Sequence, residues 1–216
     1  MFNQLHGATR LYPIIGDPVR YTESPVRLTR TAFSHCATSS QRARLLGAVS
    51  VIRRNPDGSW HGDMLDGLAF VKAQQDHGAR MAGARALLVG AGSAIAIALL
   101  EAGVSELVVH DADASRAATL RDLLAGPGGG RVIAGPADPA GCDLVFNATP
   151  MGMEAGDPLP VDAALLTSSM FVGDVIAGHG VTPFIAAAQA AGGKTADGGH
   201  MVEAVQDLMA DFMLGG

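Results

Sequence analysis

Short apolar runs alternate along this chain with longer segments that carry apolar residues three or four positions apart. Runs rich in Val, Leu and Ile that are bounded by Gly, Pro or Asp are typical of buried strands, and the longer spacing is typical of amphipathic helices. From residue 80 onward this pattern predicts the strands Ala86–Val89, Leu107–Val109, Arg131–Ile133, Leu144–Asn147, Phe171–Asp174 and Lys194–Ala196. It predicts helices between them at Ser93–Ala102, Ser115–Leu124, Val161–Leu166 and Thr182–Ala191.

Strand–helix alternation of this kind predicts an α/β protein with a doubly wound, Rossmann-type parallel sheet. The part before residue 80 differs, because it holds a predicted hairpin of Ala48–Arg54 and Trp60–Asp63 around the turn Asn55–Gly58. We therefore expect two domains: residues 1–79 as a smaller α/β domain and residues 80–200 as a dinucleotide-binding domain. The last apolar helix, 201–214, is expected to pack back on the first domain.

Composition narrows the classes of partner. The net charge of −6 gives no basic surface, so neither nucleic acid nor an anionic membrane is expected as a partner. No apolar run reaches eighteen residues, and the first residues lack the order of a signal peptide. Cys36 and Cys142 are isolated thiols, which fits the reducing cytoplasm. The seven histidines are scattered, so no metal site is expected.

A glycine turn is the main chemical signal. Gly90-Ala91-Gly92 follows a predicted strand and opens the helix at Ser93, and Asp111 ends the next strand about twenty residues later. Glycines let backbone N–H groups approach a pyrophosphate, the helix N-terminus favours its charge, and the acid can hold a ribose diol. The third glycine of the fingerprint falls on Ile95, which should hinder close packing. An ordinary strand–helix turn is the alternative interpretation.

Three further polar segments each have a plain and a functional interpretation. Gly16–Pro25 places hydroxyls where a helix starts, which suits a carboxylate ligand or an ordinary helix cap. Asp66 lies where a strand gives way to a helix, and helix capping is the simpler role for it. Asn147–Met153 follows the carboxyl end of a strand, where α/β sheets bind ligands, although a plain loop would look similar.

Together these segments resemble the shikimate dehydrogenase family, including its shikimate/quinate dehydrogenase-like branch. Y-P-I-I-G-D-P-V-R-Y-T-E-S-P resembles the substrate loop, G-A-V-S-V-I the substrate strand and G-D-M-L-D-G the catalytic-aspartate motif. N-A-T-P-M-G-M, D-V-I-A-G-H-G-V-T-P-F and D-G-G-H-M-V-E-A-V-Q resemble the nicotinamide and closing segments. The resemblance is collinear over nearly the whole chain, and it argues against a folate-linked dehydrogenase of similar architecture.

The resemblance implies reversible hydride transfer between a nicotinamide and a hydroxyl- or keto-bearing ring carbon of shikimate, quinate or a related cyclic polyol acid. Asp66 would be one half of a catalytic Lys–Asp pair, and the other implied substrate residues are Thr22, Ser24, Ser50 and Gln206. The implied cofactor residues are Gly90, Ala91, Gly92, Ser93, Asp111, Asn147, Thr149, Met151, Val175 and Gly198. The expected assembly is a monomer or a homodimer.

The sequence also departs from the family pattern. The V-T-V-P-x-K segment that carries the family's lysine is absent, which leaves the N-terminal domain incomplete, and the glycine motif is three residues short, so Ile95 is not the third-glycine position. Either these residues have been lost, or two loops of the natural protein are missing from this sequence. A non-catalytic ligand-binding homologue is therefore the rival interpretation. Ala112 stands where NADP-binding members have an arginine, between Asp111 and Asp113, so we expect a preference for NAD over NADP.

Overall fold

The computed structural model describes residues 25–125, 131–154 and 156–214. The predicted substrate residues Thr22 and Ser24 lie outside these ranges. Two compact units are present: one holds the described residues up to Leu65 together with Asp207 onward, and the other holds Asp66–Gln206. The predicted boundary near residue 79 stays a prediction.

The smaller unit is built around a three-stranded sheet. Helix α1 (Pro25–Ser34) begins at the predicted proline, and a short strand β1 (Thr38–Ser39) and helix α2 (Gln41–Leu46) follow. Strands β2 (Val51–Arg54) and β3 (Trp60–Asp63) form the predicted antiparallel hairpin, and β1 pairs with β3 in parallel. Ser40 caps α2, because its hydroxyl accepts the N–H of Ala43.

The larger unit holds a six-stranded parallel sheet in the order β6-β5-β4-β7-β8-β9, which confirms the predicted doubly wound α/β fold. Its strands are β4 (Arg85–Val89), β5 (Glu106–His110), β6 (Arg131–Ala134), β7 (Leu144–Asn147), β8 (Phe171–Asp174) and β9 (Lys194–Ala196). Its helices are α3 (Asp66–Asp76), α4 (Ser93–Glu101), α5 (Ala114–Leu124), α6 (Pro183–Ala190) and the start of α7 (Gly198–Leu214). Chain order reverses between β4 and β7, which creates the crevice where such sheets bind ligands.

One predicted helix is wrong. The segment Val161–Leu166 forms only a single 3₁₀ turn at Ala163–Leu165, because Leu166 already has an extended backbone. Asp162 caps this turn by accepting the N–H of Ala164 at 2.9 Å. A single capped turn buries the apolar ends of the segment without a helix, so Val161 and Leu166 still reach the core.

A glycine allows two helices of the larger unit to approach closely. A Cβ on Gly67, in the first turn of α3, would clash with the backbone carbonyl of Ala94 in α4 and lie 3.1 Å from the Ala98 Cβ. Glycine is therefore required where the start of α3 meets the start of α4. This contact fixes Asp66, which immediately precedes Gly67, beside the first turn of the helix that follows the glycine turn.

Candidate active site

The predicted cofactor residues assemble at the carboxyl ends of strands β5, β4, β7 and β8. Gly90 follows β4 with a positive φ of 96°, and a Cβ there would lie 2.8 Å from the carbonyl oxygen of Ala148 and from Cγ2 of Thr149. Only glycine allows this approach between the turn after β4 and the loop after β7. Two segments that the sequence placed in one site therefore contact each other directly.

The start of α4 offers backbone N–H groups to a ligand. Gly92 occupies the N-cap position, and no side chain caps the helix there. The Ser93 hydroxyl instead donates to the carbonyl of Ala91 at 3.4 Å. The first N–H groups of a helix attract anions, so this arrangement suits a pyrophosphate. Ile95 is buried within α4, which agrees with a shortened glycine motif in which Ile95 takes a core role.

Asp111 braces the glycine turn. One of its carboxylate oxygens accepts the N–H of Ala91 at 2.9 Å, and the other accepts the N–H of Asp113 at 2.9 Å. Asp113 in turn caps α5, because its carboxylate accepts both the N–H and the hydroxyl of Ser115. These hydrogen bonds hold the pKa of the Asp113 carboxyl below its usual value. Both acids behind the predicted preference for NAD thus bind groups of their own segment and of the glycine turn.

The loop after β7 is organised by Asn147, whose side chain is fully buried. Its amide nitrogen donates to the carbonyl of Met151 at 3.1 Å, and its amide oxygen accepts the N–H of Thr149 at 3.0 Å and the Thr149 hydroxyl at 2.6 Å. The Thr149 hydroxyl also accepts the N–H of Met151 at 3.1 Å. Three predicted cofactor residues therefore form one closed hydrogen-bond network.

A buried carboxylate that the sequence analysis did not single out joins this loop to the next. Asp174, at the end of β8, accepts hydrogen bonds from Asn147 at 3.0 Å, from the N–H of Ile176 at 3.1 Å and from the Thr182 hydroxyl at 2.7 Å. Burial raises the pKa of the Asp174 carboxyl, and the hydrogen bonds from Thr182, Ile176 and Asn147 act in the opposite direction. An acid at a strand end followed eight residues later by Thr-Pro was the available signal.

The remaining predicted cofactor residues lie beside this network. The N–H of Val175 donates to the carbonyl of Asn147 at 3.1 Å. Gly198, at the start of α7, donates its N–H to the carbonyl of Ile176, and a Cβ on Gly198 would clash with the carbonyl of Val175. The structure thus brings all ten predicted cofactor residues to the carboxyl edge of the six-stranded sheet.

The predicted substrate residues are more dispersed. Asp66 is half-buried in the first turn of α3, and Gln206 is exposed on α7. Ser50 precedes β2 in the smaller unit, where it is almost fully buried and its hydroxyl accepts the N–H of Leu65 at 2.8 Å. Its backbone N–H donates to the carbonyl of Asp63 at 2.8 Å.

Asp63 anchors a polar cluster that the sequence analysis also missed. Arg42 binds the Asp63 carboxylate with two nitrogens, at 2.9 Å and 2.7 Å, and the Ser40 hydroxyl donates to the same carboxylate. The N–H of Met64 donates to it at 2.7 Å. A buried acid with this many donors holds the end of β3, and therefore Ser50 beside it, in a fixed position.

Comparison with known proteins places the chain in a family. It is 32% identical to the quinate dehydrogenase from Corynebacterium glutamicum in complex with NAD, with a TM-score of 0.75 over 87% of this chain and 70% of that one. The chain belongs to the shikimate dehydrogenase family. It is 42% identical to the shikimate dehydrogenase (NADP(+)) of Rubrobacter xylanophilus over 144 residues, and 37% identical to that of Stenotrophomonas maltophilia over 180 residues. No family model matches the chain.

The chain is short beside these curated relatives. The two alignments cover 63% and 80% of this chain but only 50% and 64% of the relatives' own lengths. Among the residues that the structure describes, no helix is long and apolar enough to cross a membrane.

The comparisons correct the cofactor prediction. The curated relatives are named as NADP(+) enzymes, so the expected preference for NAD is wrong. The prediction counted the charges of Asp111 and Asp113 and left out the groups that bind them. Both are instead satisfied by backbone and serine donors. Arg116, in the first turn of α5, places a largely exposed guanidinium 3.8 Å from Asp113 and so offsets part of the negative charge on this segment.

Proposed function

We propose that this chain is an NADP-dependent oxidoreductase that transfers a hydride reversibly between the nicotinamide and a hydroxyl- or keto-bearing ring carbon of a cyclic polyol acid. Shikimate and quinate are the proposed substrates. The observation that carries the proposal is the contact between the glycine turn and the loop after β7, because it joins the pyrophosphate and nicotinamide ends of a dinucleotide site.

The residues at the carboxyl edge of the six-stranded sheet fit NADP. The backbone of Gly90–Ser93 and the start of α4 would hold the pyrophosphate, and Arg116 would pair with the 2′-phosphate. The loop of Asn147, Thr149 and Met151 would face the nicotinamide, together with Val175 and Gly198. When it is bound, the nicotinamide supplies or accepts the hydride.

Asp66 is the proposed proton-handling residue. Its place in the first turn of α3 is fixed by the Gly67 contact with α4, so its carboxylate lies in the same unit as the cofactor residues. A carboxylate there can orient or exchange the proton of the reacting hydroxyl. Asp66 is the half of the implied Lys–Asp pair that this sequence retains.

We assign the recognition of the substrate to hydroxyl and amide side chains. Thr22 and Ser24 would bind the substrate carboxylate, and Ser50 and Gln206 would contact ring hydroxyls. We also place the protein in the cytoplasm, as a monomer or a homodimer. Its free thiols, Cys36 and Cys142, support a reducing compartment.

The test is the initial rate of NADPH formation with shikimate and with quinate, followed by absorbance. The Asp66→Asn variant should lower kcat by about 100-fold or more, because loss of a positioned acid–base group typically costs that much. Asp76→Asn is the matched control: Asp76 ends the same helix, is exposed and pairs with Lys72, so its rate should stay at the wild-type value.

Two results would contradict the proposal. An unchanged rate in Asp66→Asn would remove Asp66 from the mechanism. Tight binding of NADPH without turnover of either acid would favour the non-catalytic homologue, which keeps the dinucleotide site and lacks the lysine.

A further inference from the structure

A cavity opens at the amino ends of the strands, at the edge opposite the proposed cofactor site. It has a volume of about 450 Å³ and lies within the larger unit, where β4, β7, β8 and β9 begin. Its polar lining comes from four separate segments: Gly78 and Arg80, Asp143, Ser168 and Ser169, and Lys194. We call it the amino-edge groove.

The groove collects the unpaired cations of its unit. Residues 66–206 contain seven lysines and arginines, and five of them pair with carboxylates: Lys72, Arg85, Arg116, Arg121 and Arg131. The other two are Arg80 and Lys194, and both line the groove. Among the described residues, neither has a hydrogen-bonding or ionic partner. Both unpaired cations of the unit therefore lie on one concave surface.

The donors of the groove lie where turns lead into the strands. Gly78 has a positive φ of 98° and lies beside Lys194, since a Cβ on it would be in ordinary van der Waals contact with the ammonium, at 3.6 Å. Ser168 and Ser169 lie in a turn closed by a hydrogen bond from Met170 to Thr167, and both serines are exposed. The Ser169 hydroxyl shares a hydrogen bond of 2.9 Å with the Thr167 hydroxyl. The groove thus offers an ammonium, a guanidinium and hydroxyl groups.

One carboxylate opposes this charge. Asp143 lines the groove, and one of its oxygens accepts the N–H of Arg85 at 2.9 Å. Its charge is therefore partly offset by a backbone donor, but it still lowers the affinity for any anion. Removing the Asp143 charge should therefore strengthen anion binding, whereas removing the cations should weaken it.

We propose that the amino-edge groove binds the phosphate group of a small phosphorylated metabolite. A tetrahedral dianion suits two cations from different segments and nearby hydroxyl donors. The volume is within the range of small-molecule pockets and exceeds what a free phosphate ion fills, so the rest of a small molecule can occupy it. This site lies apart from the glycine turn and does not depend on the oxidoreductase proposal.

Calorimetric titration of the whole chain with glycerol 3-phosphate and, separately, with inorganic phosphate tests the proposal. Glycerol 3-phosphate should bind more tightly than inorganic phosphate. The double variant Arg80→Gln/Lys194→Gln should bind it at least about tenfold more weakly, because both charged donors are lost. Asp143→Asn should bind it about threefold more tightly, since removing a like charge favours the anion while the amide oxygen can still accept from Arg85.

Lys72→Gln is the matched control, because it removes an exposed cation of the same unit that is paired with Asp76 outside the groove. Circular dichroism confirms that each variant is folded. Equal affinity in the double variant would place the phosphate elsewhere, for example at the glycine turn, and would overturn the proposal. So would inorganic phosphate binding at least as tightly as glycerol 3-phosphate, or no binding up to about 10 mM.

Discussion

The two sheets of this protein differ in how many of their predicted site residues contact one another. At the six-stranded sheet, the glycine turn, Asn147, Thr149 and Val175 contact one another through short, defined interactions. At the three-stranded sheet, Ser50 is the one predicted substrate residue within the described range, and its hydroxyl is engaged by the Leu65 N–H. Cofactor binding and substrate chemistry can therefore be tested separately, and the residues of the six-stranded sheet give the firmer predictions.

The largest expected effect concerns the contact that fixes Asp66 beside α4. Gly67→Ala should lower the free energy of unfolding by about 3 kcal/mol, because its Cβ would clash with the Ala94 carbonyl and force the helices apart. Denaturation in urea measures the change. Gly58→Ala is the control. Gly58 has a φ of 83° and open space around it, so only backbone strain should lower the free energy of unfolding of this variant. Equal losses in both variants would remove the α3–α4 contact from the account.

The next prediction concerns the ion pair of Arg42 and Asp63 at the three-stranded sheet. Arg42→Ala should lower the free energy of unfolding by about 2 kcal/mol, since the nearly buried Asp63 carboxylate would lose a bidentate partner that is itself partly exposed. A double-mutant cycle with Asp63→Asn isolates the pair. Lys72→Ala breaks an exposed pair of the larger unit and should cost only about 0.3 kcal/mol. A coupling energy near zero for Arg42 and Asp63 would show that Asp63 is held by its other donors.

A smaller effect is expected at the predicted substrate serine. Ser50→Ala should lower the free energy of unfolding by about 1 kcal/mol, because the buried N–H of Leu65 would lose its acceptor. Substrate KM should rise in the same variant if Ser50 also contacts ring hydroxyls. A stability loss without any change in KM would assign Ser50 to the fold alone.

The smallest effect is a pH dependence at the larger sheet. Burial raises the pKa of Asp174, so folding favours its protonated form, and this contribution to stability is lost as pH rises above 3.8 and through the raised pKa. Asp174→Asn removes the titration, so the variant should gain stability relative to the wild type across that window. Urea denaturation at a series of pH values measures the difference. A difference independent of pH would contradict a raised pKa.

Much of the larger unit could be predicted because its strands are short apolar runs with clear ends. β7, β8 and β9 begin and end at the predicted residues, and Thr182 caps α6 where the sequence placed a helix start. The glycine turn could also be predicted, because a glycine between a strand and a helix commonly marks a position where the backbone must turn sharply.

The errors arose where a pattern has more than one physical solution. The apolar ends of Val161–Leu166 reach the core from a single turn as well as from a helix, so periodicity could not decide between them. The preference for NAD was predicted from the charges of Asp111 and Asp113 alone, although Arg116 pairs with Asp113 on the same segment. The amino-edge groove was unpredictable for the same reason, since Arg80 and Lys194 meet only through the order of the strands.

A titration of the chain with NADPH, followed by fluorescence, tests directly for a dinucleotide site at the carboxyl edge of the six-stranded sheet. The account predicts saturable binding at one site, tighter than that of NADH, and at least about 30-fold weaker in Gly90→Ala, whose Cβ would press on Ala148 and Thr149. Gly103→Ala is the control, because Gly103 has a similar φ of 91° and lies at the opposite edge, before β5. Absence of saturable binding, or equal weakening in both variants, would contradict a dinucleotide site at the carboxyl edge of the sheet.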